Sequence, residues 1–245
     1  MIETLRKQGL WFKKTIDQKQ FEQIYQQGER DFRGYKFIDV ELNEYIDNID
    51  ITHSDLRFVK DLVAVLSNAK FIKLNLEGVN LERANLSHIV LTNTNLKKAN
   101  LSGADLRGSS LTHVNLQEAN LSFANLTEAE LSQSKLQKAN LNNAFLQGAN
   151  LYRVNFKGAN LAHADLEQAN LSFADLTDSN LTWANLQKCN LSSAKLYRTN
   201  LTNIDLYSAN WSSLKLRKVN IQGARFSDTL DYKMPQKFEN VDLDL

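Results

Sequence analysis

A five-residue repeat dominates this chain and constrains its fold more than any other feature of the sequence. From residue 71 to residue 226, every fifth residue is large and apolar, usually Leu, which gives 32 consecutive pentads in one unbroken phase. The residue two positions earlier is small or apolar, most often Ala, and the residue between them is usually Asn or Asp. The repeating unit is therefore Ala-Asn/Asp-Leu-x-x.

A period of five fits neither a helix nor a long strand. Helices place apolar residues at a spacing of roughly 3.6, and half-buried strands alternate strictly. Within each unit, Ala and Leu are two residues apart, so both point to the same side of a short extended segment. The remaining residues must then turn the chain. Because every unit turns it in the same way, the sequence predicts a coil with Leu and Ala inside and with successive coils paired like strands.

The pattern resembles the pentapeptide-repeat family over about two thirds of the chain. The resemblance implies an all-β fold, a right-handed quadrilateral β-helix with four pentads per coil. Thirty-two pentads then give about eight regular coils, and a rod of roughly 40 Å at about 4.8 Å per coil. Residues 20 apart should stack, and positions 80, 100, 120, 140, 160, 180, 200 and 220 are all Asn. Stacked Asn side chains predict a hydrogen-bonded ladder along the rod.

The ends of the repeat should be capped, because a stacked coil leaves open backbone edges. We divide the chain into a leader and helical cap (residues 1–30), irregular first coils (31–70), the regular β-helix (71–229) and a C-terminal cap or tail (230–245). A short N-terminal helix is predicted within residues 15–27, capped by Thr15 or Asp17 and stopped by Gly28. The period of five then runs through Phe32, Phe37 and Leu42, and after a slip of one residue through Ile46, Ile51 and Leu56.

Two segments have alternative interpretations. Asp61 falls where a core Leu belongs, and apolar residues at helical spacing follow Phe58, so residues 57–68 are a short helix or a bulged excursion that Ser54 or Asp55 could cap. This excursion either completes the cap or contacts a partner. Residues 230–245 contain Pro235, which suits a sheet edge, and they either fold over the last coil or form a homodimer contact.

The sequence predicts no enzyme, no cofactor and no metal site. The four histidines, His53, His88, His113 and His163, are far apart, and the last three fall on different sides of the predicted coil. The single cysteine, Cys189, takes an inward Ala position and so is expected to be a buried structural thiol. One thiol excludes an intrachain disulfide and favours a cytoplasmic setting, and no signal peptide or membrane-spanning run is expected.

Sorting outward residues by a phase of 20 distinguishes four sides of the coil. The basic side, centred on Leu76, Leu96 and so on to Leu216, carries Lys97, Lys98, Lys135, Lys138, Lys157, Lys195, Arg198, Lys215, Arg217 and Lys218 against Glu77, Glu118, Asp175 and Asp178. The acidic side, centred on Leu86 and Leu106, lies opposite and carries Asp105, Glu128, Asp165, Glu167, Asp205 and Asp228 against Arg107, Lys188 and Arg225. The aromatic side, centred on Leu81, has Glu82 and Arg83 as its only charges and presents Phe123, His163 and Trp183. The fourth side, centred on Leu91, presents Tyr152 and Phe173 on adjacent coils.

Three functions follow as hypotheses. The first is a protein-binding scaffold or regulator, since exposed aromatic side chains on a flat neutral surface are typical interface anchors. The second is binding of a polyanion or nucleic acid through the basic side. The third is implied by the resemblance alone: a topoisomerase-protecting mimic of DNA, which a net charge of +1 disfavours. Runs of this repeat resemble those of bacterial, and especially cyanobacterial, proteins.

Overall fold

Parallel pairing between residues 20 apart builds the molecule. The computed structural model describes residues 14–42, 51, 54–58 and 75–226. On the basic side, bridges join Asn75 to Asn95 and continue at every twentieth residue to Lys215, so that eight coils are stacked. The other three sides repeat the pattern, for example from Asn80 to Asn220 on the aromatic side. The predicted coil of 20 residues, with four pentads, is therefore confirmed.

Each pentad is attached to its neighbouring coils by backbone hydrogen bonds. In the pentad of Leu121, the amides of Leu121 and Phe123 donate to the next coil at Asn140 (2.7 Å) and Asn142 (3.0 Å). The amide of Asn120 donates in the opposite direction, to Ala99 (2.9 Å). Because the same pattern recurs from pentad to pentad, the backbone polar groups are paired without long strands.

A tight turn follows each central Leu. The amide of Ala124 donates to the carbonyl oxygen of Leu121 (3.1 Å), which closes a four-residue turn. The third residue of this turn has a positive φ, as in Phe123 (59°) and Gln133 (59°), which is typical of a type II turn. A left-handed conformation costs an L-residue about 1–2 kcal/mol, so the stacking of the coils must offset this strain.

The interior is a column of apolar side chains. The central Leu residues from Leu76 to Leu206 are buried, together with the Ala, Val and Ile residues two positions before them. Cys189 is buried among them, and its burial raises the pKa of the thiol to about 12. Several buried hydroxyl groups donate to backbone carbonyl oxygens; Ser134 Oγ, for instance, donates to Leu111 (2.7 Å).

The N-terminal part adds a three-stranded parallel sheet to the stack. Its strands are β1 (Lys14–Ile16), β2 (Tyr35–Ile38) and β3 (Asp55–Phe58), in the order β1-β2-β3. The amide of Leu56 donates to the carbonyl oxygen of Asn80 (3.2 Å), so this sheet continues the aromatic side of the coils. The predicted period-five residues Phe32, Phe37, Leu42, Ile51 and Leu56 are all buried, and Ile46 lies outside the described residues.

A single helix, α1 (Gln18–Gln26), connects β1 to β2 in the described part. Asp17 caps it: the Asp17 side chain accepts from the Gln20 amide (2.9 Å), and the Gln20 side chain accepts from the Asp17 amide (3.2 Å). Thr15, the other candidate cap, lies in β1 instead, because the chain is paired with β2 up to Ile16. Phe21 packs against Phe32, with ring centroids 4.9 Å apart, so the helix closes the apolar interior here.

The structure changes the interpretation of the segment after Leu42. Residues 57 and 58, the only described part of the predicted 57–68 excursion, belong to β3, so no helix begins there. Between the pair Lys36↔Asp55 and the pair Ile38↔Phe58, the chain advances by two residues in β2 but by three in β3. Strand β3 therefore contains one extra residue, as in a β-bulge. Ser54 does not cap a helix: its hydroxyl donates to the carbonyl oxygen of Phe32 (2.7 Å). The rest of that segment and the C-terminal tail at 230–245 lie outside the described residues.

Side-chain amide ladders run along the outside of the coils. On the aromatic side, each Asn from Asn100 to Asn180 donates its Nδ2 to the Asn Oδ1 of the preceding coil, at 3.1–3.3 Å. The same oxygen also accepts from the backbone amide two residues later, as Asn140 does from Asn142 (3.2 Å). The ladder predicted from the repeated Asn is thus confirmed from Asn80 to Asn180, and there it fixes both the turn and the stacking.

Candidate functional site

The aromatic side presents large apolar side chains from fixed positions. Phe123, His163 and Trp183 each occupy the third position of a turn, with φ values of 59°, 58° and 63°. Phe123 is 59% exposed and Trp183 is 58% exposed, although both belong to an otherwise well-paired backbone. His163 is also exposed and lies one coil before Trp183. The structure therefore brings the three predicted residues to one edge of the aromatic side.

Sequence reasoning missed a fourth residue at this edge. Phe145 is 46% exposed and is bridged to Asn125 and Asp165, at a position that is usually Asn or Asp. It belongs to the acidic side, but it follows Asn143 by two residues, and Asn143 stacks between Phe123 and His163. The sequence feature that could have identified Phe145 is an aromatic residue at a position of the pentad that is usually Asn or Asp. We call Phe123, Phe145, His163 and Trp183 the aromatic corner.

The predicted aromatic pair on the fourth side is in direct contact. The rings of Tyr152 and Phe173 are 5.7 Å apart and meet edge to face. The guanidinium of Arg153 lies 5.0 Å from the Tyr152 ring and 5.7 Å from the Phe173 ring. Phe173 remains 50% exposed, whereas Tyr152 is half-buried. Because Arg153 already contacts both rings, this cluster offers a partner less free aromatic surface than the aromatic corner does.

The basic side is interrupted by carboxylates. Asp178 accepts two hydrogen bonds from Arg198, from Nε at 2.6 Å and from Nη2 at 2.7 Å, and these bonds lower the pKa of Asp178. Lys98 lies 4.0 Å from Glu118. The predicted residues Lys97, Lys98, Lys138, Lys157, Lys195, Arg198, Lys215, Arg217 and Lys218 do stack on one side, but Asp175 and Asp178 separate the first four from the last five.

The acidic side is largely neutralised by its own cations. Three ion pairs join Asp105 to Arg107 (2.6 Å), Glu167 to Lys188 (2.9 Å) and Asp205 to Arg225 (3.2 Å). Hydrogen bonds from Arg107 and Lys188 lower the pKa of the Asp105 and Glu167 carboxyls, so both stay charged but compensated. Three of the five carboxylates that the structure describes on this side are therefore paired with a cation.

The interior and the titratable groups give no assembled site within the described residues. The cavity between Leu176 and Leu214 has a volume of about 10 Å³, too little for a substrate. His88, His113 and His163 lie on three different sides, and in the described ranges no group of three His, Cys, Asp or Glu could hold a metal ion. No helix among the described residues is long and apolar enough to span a bilayer.

Comparison with known proteins agrees with this architecture. The model of a pentapeptide repeat region matches residues 149–226, and the model of pentapeptide repeats (8 copies) matches residues 64–87, 75–112 and 115–153. No curated protein sequence matches the chain.

Several solved structures are similar. HetL, a pentapeptide repeat protein involved in heterocyst differentiation regulation from the cyanobacterium Nostoc sp. strain PCC 7120, is 26% identical, with coverage of 90% of this chain and 100% of HetL, at a TM-score of 0.44. QnrB1, a plasmid-mediated fluoroquinolone resistance protein, is 18% identical over 70% of this chain and 89% of its own, at a TM-score of 0.43. A pentapeptide repeat protein from the thylakoid lumen of Arabidopsis thaliana is 30% identical over 44% of this chain and 66% of its own, at a TM-score of 0.29. Because the family models together match well over half of the residues, the chain belongs to the pentapeptide-repeat family.

Proposed function

We propose that this protein is a non-enzymatic scaffold or regulator that binds a protein partner through the aromatic corner of a right-handed quadrilateral β-helix. The handedness follows from a general rule: connections between parallel strands of one sheet are right-handed in nearly all proteins. A single buried cysteine is compatible with the reducing cytoplasm, where we place the protein.

The observation that carries the proposal is the exposure of three aromatic rings on a rigid backbone. Phe123, Phe145 and Trp183 expose 59%, 46% and 58% of their surface. Phe123 and Trp183 are three coils apart, or about 14 Å at the spacing of paired strands, with Phe145 and His163 between them. That span is comparable with the central patch of a protein interface, where a few aromatic residues supply most of the binding energy.

The surroundings of the corner suit a protein partner. Beyond Arg83, the outward residues of the aromatic side are Ser, Thr, Asn, Gln, Gly and Ala apart from the corner itself, so a partner would not have to desolvate a charge there. Their Asn side chains are already held in the ladder, as Asn140 is by Asn120 (3.2 Å). Binding would therefore order few additional side chains, which lowers its entropic cost.

Ion pairing counts against the two alternatives as whole-surface functions. A duplex or an extended single strand on the basic side would meet Asp175 and Asp178 midway along the row of cations. A mimic of DNA needs a strongly negative surface, whereas three carboxylates of the acidic side are paired with Arg107, Lys188 and Arg225.

The test is partner binding by the double variant Phe123→Ser and Trp183→Ser. The partner would first be captured from a lysate of the source organism and identified, and its affinity then measured with both purified proteins. Loss of two anchors should weaken binding by about 100-fold or more, since truncating one hot-spot residue costs about 2 kcal/mol. The matched control replaces Asn93 and Gln133, two exposed residues of the fourth side that take the same turn position with φ of 62° and 59°, by Ser.

The affinities of the two double variants can be compared only if both variants are folded. Circular dichroism and thermal melting should match the wild type in both double variants, because the replaced side chains are exposed. Equal affinity of the two double variants for the identified partner would show that the aromatic corner is not the binding surface.

A further inference from the structure

The last two described coils of the basic side differ from those before them. Here the chain is extended over three residues in each coil, as β4 (Lys195–Tyr197) and β5 (Lys215–Arg217). These strands are parallel and in register, with Lys195 beside Lys215 and Tyr197 beside Arg217. The amide of Arg198 donates to the carbonyl oxygen of Arg217 (2.8 Å), which extends the pairing by one residue.

This strand pair concentrates positive charge. Lys195, Arg198, Lys215, Arg217 and Lys218 are all exposed, and no carboxylate lies among the outward residues of these two pentads. Within the described part of the chain, Arg198 alone of the five forms an ion pair. Placing Lys195 directly beside Lys215 is unfavourable, because like charges in neighbouring strands repel. An arrangement that lowers the stability of the fold in this way is expected where a surface has a function.

Three of these five cations, together with Tyr197, line a surface pocket. Its volume is about 250 Å³, and it is lined by Tyr197, Arg198, Arg217 and Lys218, which we call the C-terminal basic pocket. Asp178 holds the Arg198 guanidinium from the preceding coil through its Nε and Nη2 atoms. A guanidinium has five N–H groups, so about three remain for a ligand. Arg198 is thus oriented in advance, and the half-buried Tyr197 forms an apolar wall.

We infer that the C-terminal basic pocket binds a compact dianion, a phosphate monoester group, at Arg198, Arg217 and Lys218. Planar guanidinium groups match phosphate oxygens with two parallel hydrogen bonds, and a neighbouring ammonium adds a point charge. The pocket is the size of a single charged group rather than of a polymer. Asp175 and Asp178 border it on the N-terminal side and would repel a continuing phosphate backbone. This inference is independent of the aromatic corner.

The experiment uses the full chain and fluorescence anisotropy of a labelled peptide that carries one phosphoserine. The expected result is saturable binding that weakens at least about tenfold for the same peptide with unmodified Ser. Inorganic phosphate and free O-phosphoserine should both compete with the phosphopeptide. Competition by free O-phosphoserine shows whether a small phosphorylated molecule is sufficient for binding or whether the rest of the peptide contributes. Binding should weaken as the pH falls from about 7.5 to about 5, because the second phosphate pKa is about 6.

Two variants decide whether the pocket is responsible. The double variant Arg217→Gln and Lys218→Gln should lose at least about tenfold in affinity for the phosphopeptide. The double variant Lys97→Gln and Lys98→Gln removes the same number of charges from the same side and should bind within about twofold of the wild type, since more than a Debye length separates it from the pocket. Equal losses in both variants would overturn the inference, as would tighter binding of a 20-nucleotide single-stranded DNA than of the phosphopeptide.

Discussion

At the scale of the residue, each position in the pentad has one task. The central Leu fills the interior, the preceding Asn or Asp fixes the turn, and the third turn residue carries the left-handed backbone. That last position accepts Phe, Trp, His, Lys and Gly alike, with φ between 51° and 69° over the repeat. A position with fixed backbone and free side chain is well suited to display binding groups, and Phe123 and Trp183 both occupy it.

We expect Leu146→Asp to abolish cooperative folding of the coils. Leu146 is fully buried, so the variant places an unpaired carboxylate in an apolar column, at a cost of several kcal/mol. Leu146→Ala should fold but lose about 2–5 kcal/mol of stability. The control, Gln133→Asp, adds the same charge at an exposed turn position of the same coil. Thermal melting followed by circular dichroism distinguishes them, and a wild-type melt for Leu146→Asp would contradict the inward assignment.

At the scale of the element, the stack depends on side-chain ladders as well as on backbone pairing. An amide ladder gives each Asn three partners, one in each adjacent coil and one in its own turn. Asn140, for example, donates to Asn120 and accepts from Asn160 and from the amide of Asn142. Such chains of hydrogen bonds polarise one another, so an interruption should cost more than one isolated bond.

A comparison of Asn140→Ala with Asn155→Ala distinguishes the contribution of the ladder to stability from that of the turn. Asn155 makes the same bond to its own turn, from the amide of Lys157 (3.1 Å), but its stacking neighbours are Lys135 and Asp175. We expect Asn140→Ala to be the more destabilising of the two by about 1–3 kcal/mol, because it leaves a donor and an acceptor of the ladder unpaired. Denaturant unfolding of both variants measures the difference. Equal losses of stability would mean that the ladder adds nothing to the turn.

At the scale of the whole molecule, the coil is a repeating structure in which each layer contacts mainly the layers next to it. Its stability is therefore a sum of similar contributions along the stack. The sides, in contrast, are not equivalent: the aromatic corner lies between the aromatic and acidic sides, and the C-terminal basic pocket lies at one end of the basic side.

Removing one complete coil, residues 131–150, should leave a folded and shorter stack. Every later residue keeps its side, and Glu130 is then followed by Leu151, so the repeat stays in phase. Removing residues 131–134 takes out fewer residues but shifts every later Leu by one position, which turns inward side chains outward. Circular dichroism and thermal melting should show a cooperative transition for the first deletion and its loss for the second. The reverse order of stability would contradict the coil of 20 residues.

Much of this architecture is predictable from the sequence because 32 copies of one pattern report the same local geometry. The sequence also places Phe123, His163 and Trp183 on one side. It fails where a single residue departs from the pattern: Phe145 occupies an Asn position, and β1 precedes the first period-five residue. The sequence also places Asp178 on the basic side, but its ion pair with Arg198 depends on side-chain conformations and is evident only in the structure.

The amide ladders have a polarity, and it gives the repeat a rule for placing charge. Every ladder amide donates toward the N-terminal end of the stack, so the first member of a ladder only accepts and can be a carboxylate. Glu130 takes this place below Asn150, Asn170, Asn190 and Asn210, and Asp165 takes it below Asn185. An acid in the middle of a ladder would instead face another acceptor. The direction of these columns thus determines where an Asn-to-Asp replacement is harmless and where it breaks the stack.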